Sequence, residues 1–153
     1  MLNGVMTVSR LSVEIAAPPA AVYAALADLP GYAGWLQPSR TYHATVDVSD
    51  TPVRQGSTYT DHTSGDVMQG QVLECEPDRL LLFRQSSHKG DLDITIRYQL
   101  TPVGSRTRVD RTGTIVTHGR YRLVHPVVVA VTKRENRRTL AALKAYLERA
   151  TPV

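Results

Sequence analysis

Cys75 is the only cysteine in this 153-residue sequence. No intrachain disulfide can therefore brace the fold, and a reducing compartment is permitted. Long apolar runs are also missing. The most apolar window, Leu123 to Val131, is interrupted by His125 and Pro126 and is far shorter than the roughly 20 residues of a membrane span. The first ten residues lack a basic-then-apolar signal pattern. These absences make a cytoplasmic protein without an integral membrane segment the default expectation. No Gly/Ser- or Pro-rich linker divides the chain, and two domains of half this length would each be marginal, so residues 1–153 are read as one domain.

Chemical signatures are sparse too. The glycines mark turns and form no phosphate-cradling loop or dinucleotide fingerprint. Ser9, Ser57, Ser64 and Ser86 lack the Gly-x-Ser-x-Gly context of a nucleophile elbow. His43, His62, His88, His118 and His125 have no partner at recognisable zinc spacing. No cofactor and no metal are expected. Asp61 and His62 are neighbours on an expected strand and face opposite ways, which excludes a local acid–imidazole dyad. His88 and His118 fall near expected turns, where an exposed imidazole is usual. Cys75 lies between Glu74 and Glu76, whose charge disfavours a thiolate, so its role is read as structural. The formal charge is +4. Much of that excess sits in Lys133, Arg134, Arg137 and Arg138, on a helix where a solvated face is expected. No groove-reading motif accompanies it, and no nucleic-acid partner is expected.

What is present is alternation. Ser9 to Ile15 has period two, as a half-buried strand requires. Ala16-Ala17-Pro18-Pro19 stops it and suits a helix start. A short helix is expected over Ala20 to Asp28, broken by Pro30-Gly31, and a second over Tyr32 to Gln37. Strands follow at Thr41 to Val48, Ser57 to Ser64, Val67 to Glu76, Leu80 to Ser87, Leu92 to Leu100 and Arg106 to Thr117, divided by polar turns. Arg120 to Ala150 reads as one long amphipathic helix. Its stripe runs through Leu147, Leu143, Leu140, Asn136, Thr132, Val129 and, if the helix is straight, His125. Pro126 marks a kink or the true start. The stripe is apolar at one end and partly polar at the other, and a helix sealing a dry core would not need Asn136 there.

Three segments carry a resemblance. AAPPAAVYAALADLPGYAGWL at Ala16 to Leu36, MQGQVLECEPDRLLLF at Met68 to Phe83 and TLAALKAYLE at Thr139 to Glu148 together resemble the START-like, helix-grip (SRPBCC) superfamily, and more narrowly its polyketide cyclase/dehydrase branch. The resemblance implies an α+β fold: a seven-stranded curved antiparallel sheet wrapped around a long C-terminal helix, with two short helices after the first strand. It implies a container more than an activity, since that superfamily hosts carriers of lipids, sterols and isoprenoids as well as aromatic polyketide cyclases.

The expected function is binding of a hydrophobic or amphipathic small molecule, such as a lipid, isoprenoid or polyketide-like compound, between sheet and helix. Asp61 and Arg111 are expected as a polar pair, with Tyr59 sharing the face of Asp61. A buried acid, cation and phenol are the groups an aldol-type cyclisation requires. The bland alternative is a surface ion pair on the outer sheet face. Trp35, Tyr32, Phe83 and Tyr98 are the aromatic candidates for a pocket wall, Trp35 foremost as part of a lid, against plain core packing. His125, Val129, Asn136 and Leu140 complete the expected ligand-binding set. The rival readings are a cyclase or dehydratase and a protein-interaction module using the outer sheet or the basic helix face. Monomer and homodimer are both open.

Overall fold

The computed structural model describes residues 4–150. Strand β1 (Val5–Ile15) begins four residues before the expected Ser9 and pairs antiparallel with the last strand along its whole length, from Val5 opposite Thr117 to Ile15 opposite Thr107. Helix α1 (Pro19–Ala27) follows the Pro18-Pro19 step and buries Val22, Leu26 and Ala27. The second short helix is a single 3-10 segment, Pro30–Gly34, rather than Tyr32 to Gln37. Proline preorganises its first turn, and the Tyr32 hydroxyl donates to the Leu26 carbonyl, tying the segment back to α1.

Six strands then form a meander: β2 (Tyr42–Val46), β3 (Thr58–Thr63), β4 (Asp66–Glu76), β5 (Leu80–Ser87), β6 (Leu92–Val103) and β7 (Arg106–Thr117). The sheet order is β1-β7-β6-β5-β4-β3-β2, with every pair antiparallel. β2 is shorter than Thr41 to Val48 because Asp47 adopts a left-handed φ of 53° and leaves the strand. The β6–β7 hairpin turns at Gly104, whose φ of 61° disfavours a side chain.

Helix α2 (His125–Ala150) is preceded by a 3-10 segment, Gly119–Val124, so the expected helix from Arg120 is two elements. Pro126 sits in the first turn of α2, where its missing N–H costs nothing. The 26 residues span about 39 Å. Both ends are pinned. His125 bridges the hydroxyls of Thr7 and Thr117 at 2.7 and 2.8 Å, and Glu148 accepts the Ala16 amide at 2.9 Å. The sheet curls round α2 in the helix-grip arrangement. The dry core lies at the C-terminal half of α2, where Leu140, Leu143 and Leu147 meet Ile15, Val22, Leu26 and Val109. Leu143 and Val109 are fully buried. In the N-terminal half of α2 the buried residues are polar, His125 and Asn136.

Candidate functional site

The space left there is a cavity of about 350 Å³ between the concave sheet face and the first half of α2, within the range of small-molecule sites. Period two puts Leu92, Ile94, Ile96 and Tyr98 of β6 on the cavity wall together. Met68 and Phe83 continue the wall across β4 and β5, and Val128 and Val131 face them from α2.

Two polar clusters interrupt this lining. In the first, Arg111 on β7 is buried, donates from Nη2 to Asn136 Oδ1 at 2.8 Å and from Nη1 to the Tyr98 hydroxyl, and lies with its guanidinium carbon 5.1 Å from the Tyr98 ring centroid. Its Nε is buried and meets no acceptor among the described residues. In the second, Asp61 on β3 accepts from Thr45 Oγ1 at 2.6 Å and from Gln85 Nε2 at 2.9 Å, and the same Gln85 nitrogen is 2.9 Å from the Tyr59 hydroxyl. Burial lifts the Asp61 carboxyl from 3.8 to about 6, against the hydrogen bonds of Thr45 and Gln85, which favour the ionised form. Burial also holds the Tyr59 and Tyr98 phenols above the usual range, so both are neutral donors near pH 7. An edge-to-face aromatic row, Tyr59–Phe83–Tyr98 with centroids 6.0 and 6.2 Å apart, joins the clusters. Tyr59 can lie across the sheet because its partner on β4 is Gly70: a Cβ there would sit 2.2 Å from the ring.

The family described as polyketide cyclase / dehydrase and lipid transport matches residues 6–148. The chain belongs to that family. Solved structures with a similar fold include the ZhuI aromatase/cyclase from Streptomyces sp. R1128, at 19% identity and a TM-score of 0.78 over 95% of each chain. Another is MLL2253 from Mesorhizobium loti, at 18% identity and 0.71 over 95% of this chain and 100% of that one. DynU16, a protein of the dynemicin biosynthetic locus, is 26% identical with a TM-score of 0.68 over 95% of this chain, which corresponds to 48% of DynU16. No curated protein gives a significant sequence match.

Of the residues singled out in the sequence of this polyketide cyclase/dehydrase family member, Tyr59, Asp61, Phe83, Tyr98, Arg111 and Asn136 line the cavity. Four do not. Trp35 is buried outside the cavity, stacked on Tyr146 with centroids 6.4 Å apart, and it is Tyr32, 4.7 Å from it, that reaches the wall. His125 is consumed by its two threonine bonds, Val129 is half-buried off the wall, and Leu140 is core. The physical reason is rotation. Among the strands α2 packs mainly on β1, so the stripe through His125, Val129 and Leu140 faces that edge, and the cavity meets the neighbouring face through Val128, Thr132, Glu135 and Thr139. The expected Asp61–Arg111 pair is also corrected: the two share the cavity, but each is held by neutral partners. His118 is not a free turn residue either, since its Nε2 lies 3.2 Å from Asp93 Oδ2.

Gln85 and the mouth residues were not anticipated. Gln85 had a signal, a polar side chain two residues from Phe83 on one strand face. Glu135 had none. It accepts from Ser39 Oγ at 2.7 Å and from Thr41, and from Arg138 Nε at 2.9 Å, clasping the loop before β2 to α2 at the cavity edge. Burial opposes the Glu135 carboxylate, but these bonds outweigh it and lower its pKa. Among the described residues no cluster of three or more His, Cys, Asp or Glu side chains is arranged to hold a metal, and no helix is long and apolar enough to cross a membrane.

Proposed function

We propose that this chain binds an amphipathic, polyketide-like or lipid-like small molecule in the cavity between its sheet and α2. The observation that carries the reading is an interior wall of aliphatic and aromatic side chains broken by two polar clusters, one around Asp61 and one around Arg111. A dry core excludes such groups unless they are paired, because desolvation is costly. A ligand site uses a few of them to orient its guest. The family description supports this class of ligand. Native mass spectrometry of the purified chain after exposure to a lipid extract and to aromatic polyketide analogues tests it. One-to-one adducts that survive desalting are expected, and their loss in Ile94→Trp, which fills the space, completes the result. Wild type that captures nothing contradicts the reading.

A second reading, cyclase or dehydratase chemistry, is favoured by Asp61. A buried carboxyl titrating at about 6 beside neutral Tyr59 and Gln85 is poised to take a proton from carbon while a phenol hydrogen-bonds the carbonyl oxygen. The structural likeness to an aromatase/cyclase at 19% identity supports the container, and the chemistry rests on Asp61. Turnover of a poly-β-keto thioester analogue should then rise with pH as Asp61 ionises, through about pH 6, and Asp61→Asn should abolish that step. Unchanged turnover in Asp61→Asn excludes this role.

A further inference from the structure

Arg111 is an unusual lining residue. It is only 7% exposed, always charged, and both of its hydrogen-bond partners, the Tyr98 hydroxyl and Asn136 Oδ1, are neutral. A guanidinium carries five N–H donors. Two of them are engaged here, and Nε has no acceptor among the described residues. Removing a cation from water is repaid chiefly by an opposite charge close by.

The other charged groups on the cavity wall do not supply it. Glu135 is bound to Arg138, Ser39 and Thr41 at the mouth. Asp66 accepts the Val67 amide at the β3–β4 turn. Asp61 sits on β3, four strands along the sheet from β7, or roughly 19 Å along its curve at the usual spacing, and is held by Thr45 and Gln85. The cavity thus has a cationic end at Arg111, an apolar middle around Phe83 and Ile96, and an acceptor-rich end at Asp61.

We infer that Arg111 seats a carboxylate, so that the ligand is an amphipathic acid whose anionic head lies between Tyr98 and Asn136 while its apolar body runs towards Asp61. The assignment rests on the cavity being the ligand site, as proposed above. A planar carboxylate matches the fork of N–H groups that a guanidinium presents, and Tyr98, kept neutral by burial, offers an O–H to the same head. At the far end Asp61 and Gln85 select a hydroxyl or phenol and repel a second acid. The ligand class is therefore a monocarboxylate.

The test is calorimetric titration of the full chain at pH 7.5 with decanoate, 1-decanol and decylamine, which share a tail and differ in head-group charge. Decanoate should bind at least about ten-fold tighter than 1-decanol, the scale of one hydrogen bond to a buried charge, and decylamine weakest of the three. Arg111→Met should bring the decanoate-to-decanol ratio to about one, whereas Arg111→Lys, which keeps the charge, should retain a preference for decanoate. The wild-type ratio and the lysine variant decide the matter even if the methionine variant folds poorly. Equal binding of decanoate and decanol, or a preference that survives Arg111→Met, overturns the carboxylate assignment and leaves the cavity reading standing. If none of the three binds, the cavity reading fails with it.

Discussion

Asp61 connects the interior of the molecule to pH. Its carboxyl titrates at 3.8 in the unfolded chain and at about 6 in the fold, so the folded state holds the proton more tightly. The Asp61 contribution to stability is accordingly greatest below pH 4, declines as pH rises from about 4 to about 6, and is constant above; the full decline is on the order of 3 kcal/mol. Asp61→Asn removes that slope. The advantage in Tm of the variant over wild type should be small at pH 4 and should grow up to about pH 6.5, as read by thermal denaturation in matched buffers. Parallel Tm curves would show that Asp61 is better solvated than its surroundings indicate. Gly70 is a second residue with a defined role. Gly70→Ala places a methyl group 2.2 Å from the Tyr59 ring and should cost about 1–3 kcal/mol in urea unfolding. In a Tyr59→Ala background the same change should cost markedly less, because the clash is with that ring. Equal costs in both backgrounds would contradict this packing.

At the scale of elements, α2 has two different jobs along one axis. Leu143, fully buried in the C-terminal half, should behave as a core residue, with Leu143→Ala costing about 2–5 kcal/mol. Val128, on the cavity wall, already borders unfilled space, and Val128→Ala should cost less than about 1 kcal/mol. Similar losses at the two sites would mean that the N-terminal half is packed like the C-terminal half. Much of this was legible beforehand. The strict alternation from Leu92 to Leu100 pointed to β6 and its buried face, and Pro126 marked either a kink or the true start of the last helix, of which the structure shows the start. Asn136 on an otherwise buried stripe announced a polar interior. Other features were not legible because they depend on tertiary geometry. A helical stripe says which side is buried, but the rotation of α2 towards β1 decides that Val128 rather than Val129 meets the cavity. Trp35 is as apolar in sequence as Tyr32, and only the 3-10 turn at Pro30–Gly34 decides which ring reaches the wall. Parity placed Tyr59 and Asp61 on one face and could not show how far that face lies from Arg111.

For the whole molecule, the sheet closes on α2 at one end and stands off from it at the other, and the interior chemistry follows from that asymmetry. The closed end supplies stability through aliphatic burial. The open end leaves Phe83, Ile94 and Ile96 on the wall of a cavity that also carries a cation, Arg111, and an acid, Asp61. The mouth clasp of Glu135 with Ser39, Thr41 and Arg138 ties the loop before β2 to the helix that the sheet surrounds. The most direct measurement is methyl NMR of the chain titrated with decanoate, reading intermolecular NOEs from the alkyl tail. The account predicts contacts to the methyl groups of Ile94, Ile96 and Val128 and none to Val109 in the closed core. Contacts confined to outward-facing Met6 and Val103, or no saturable contacts at all, would contradict it.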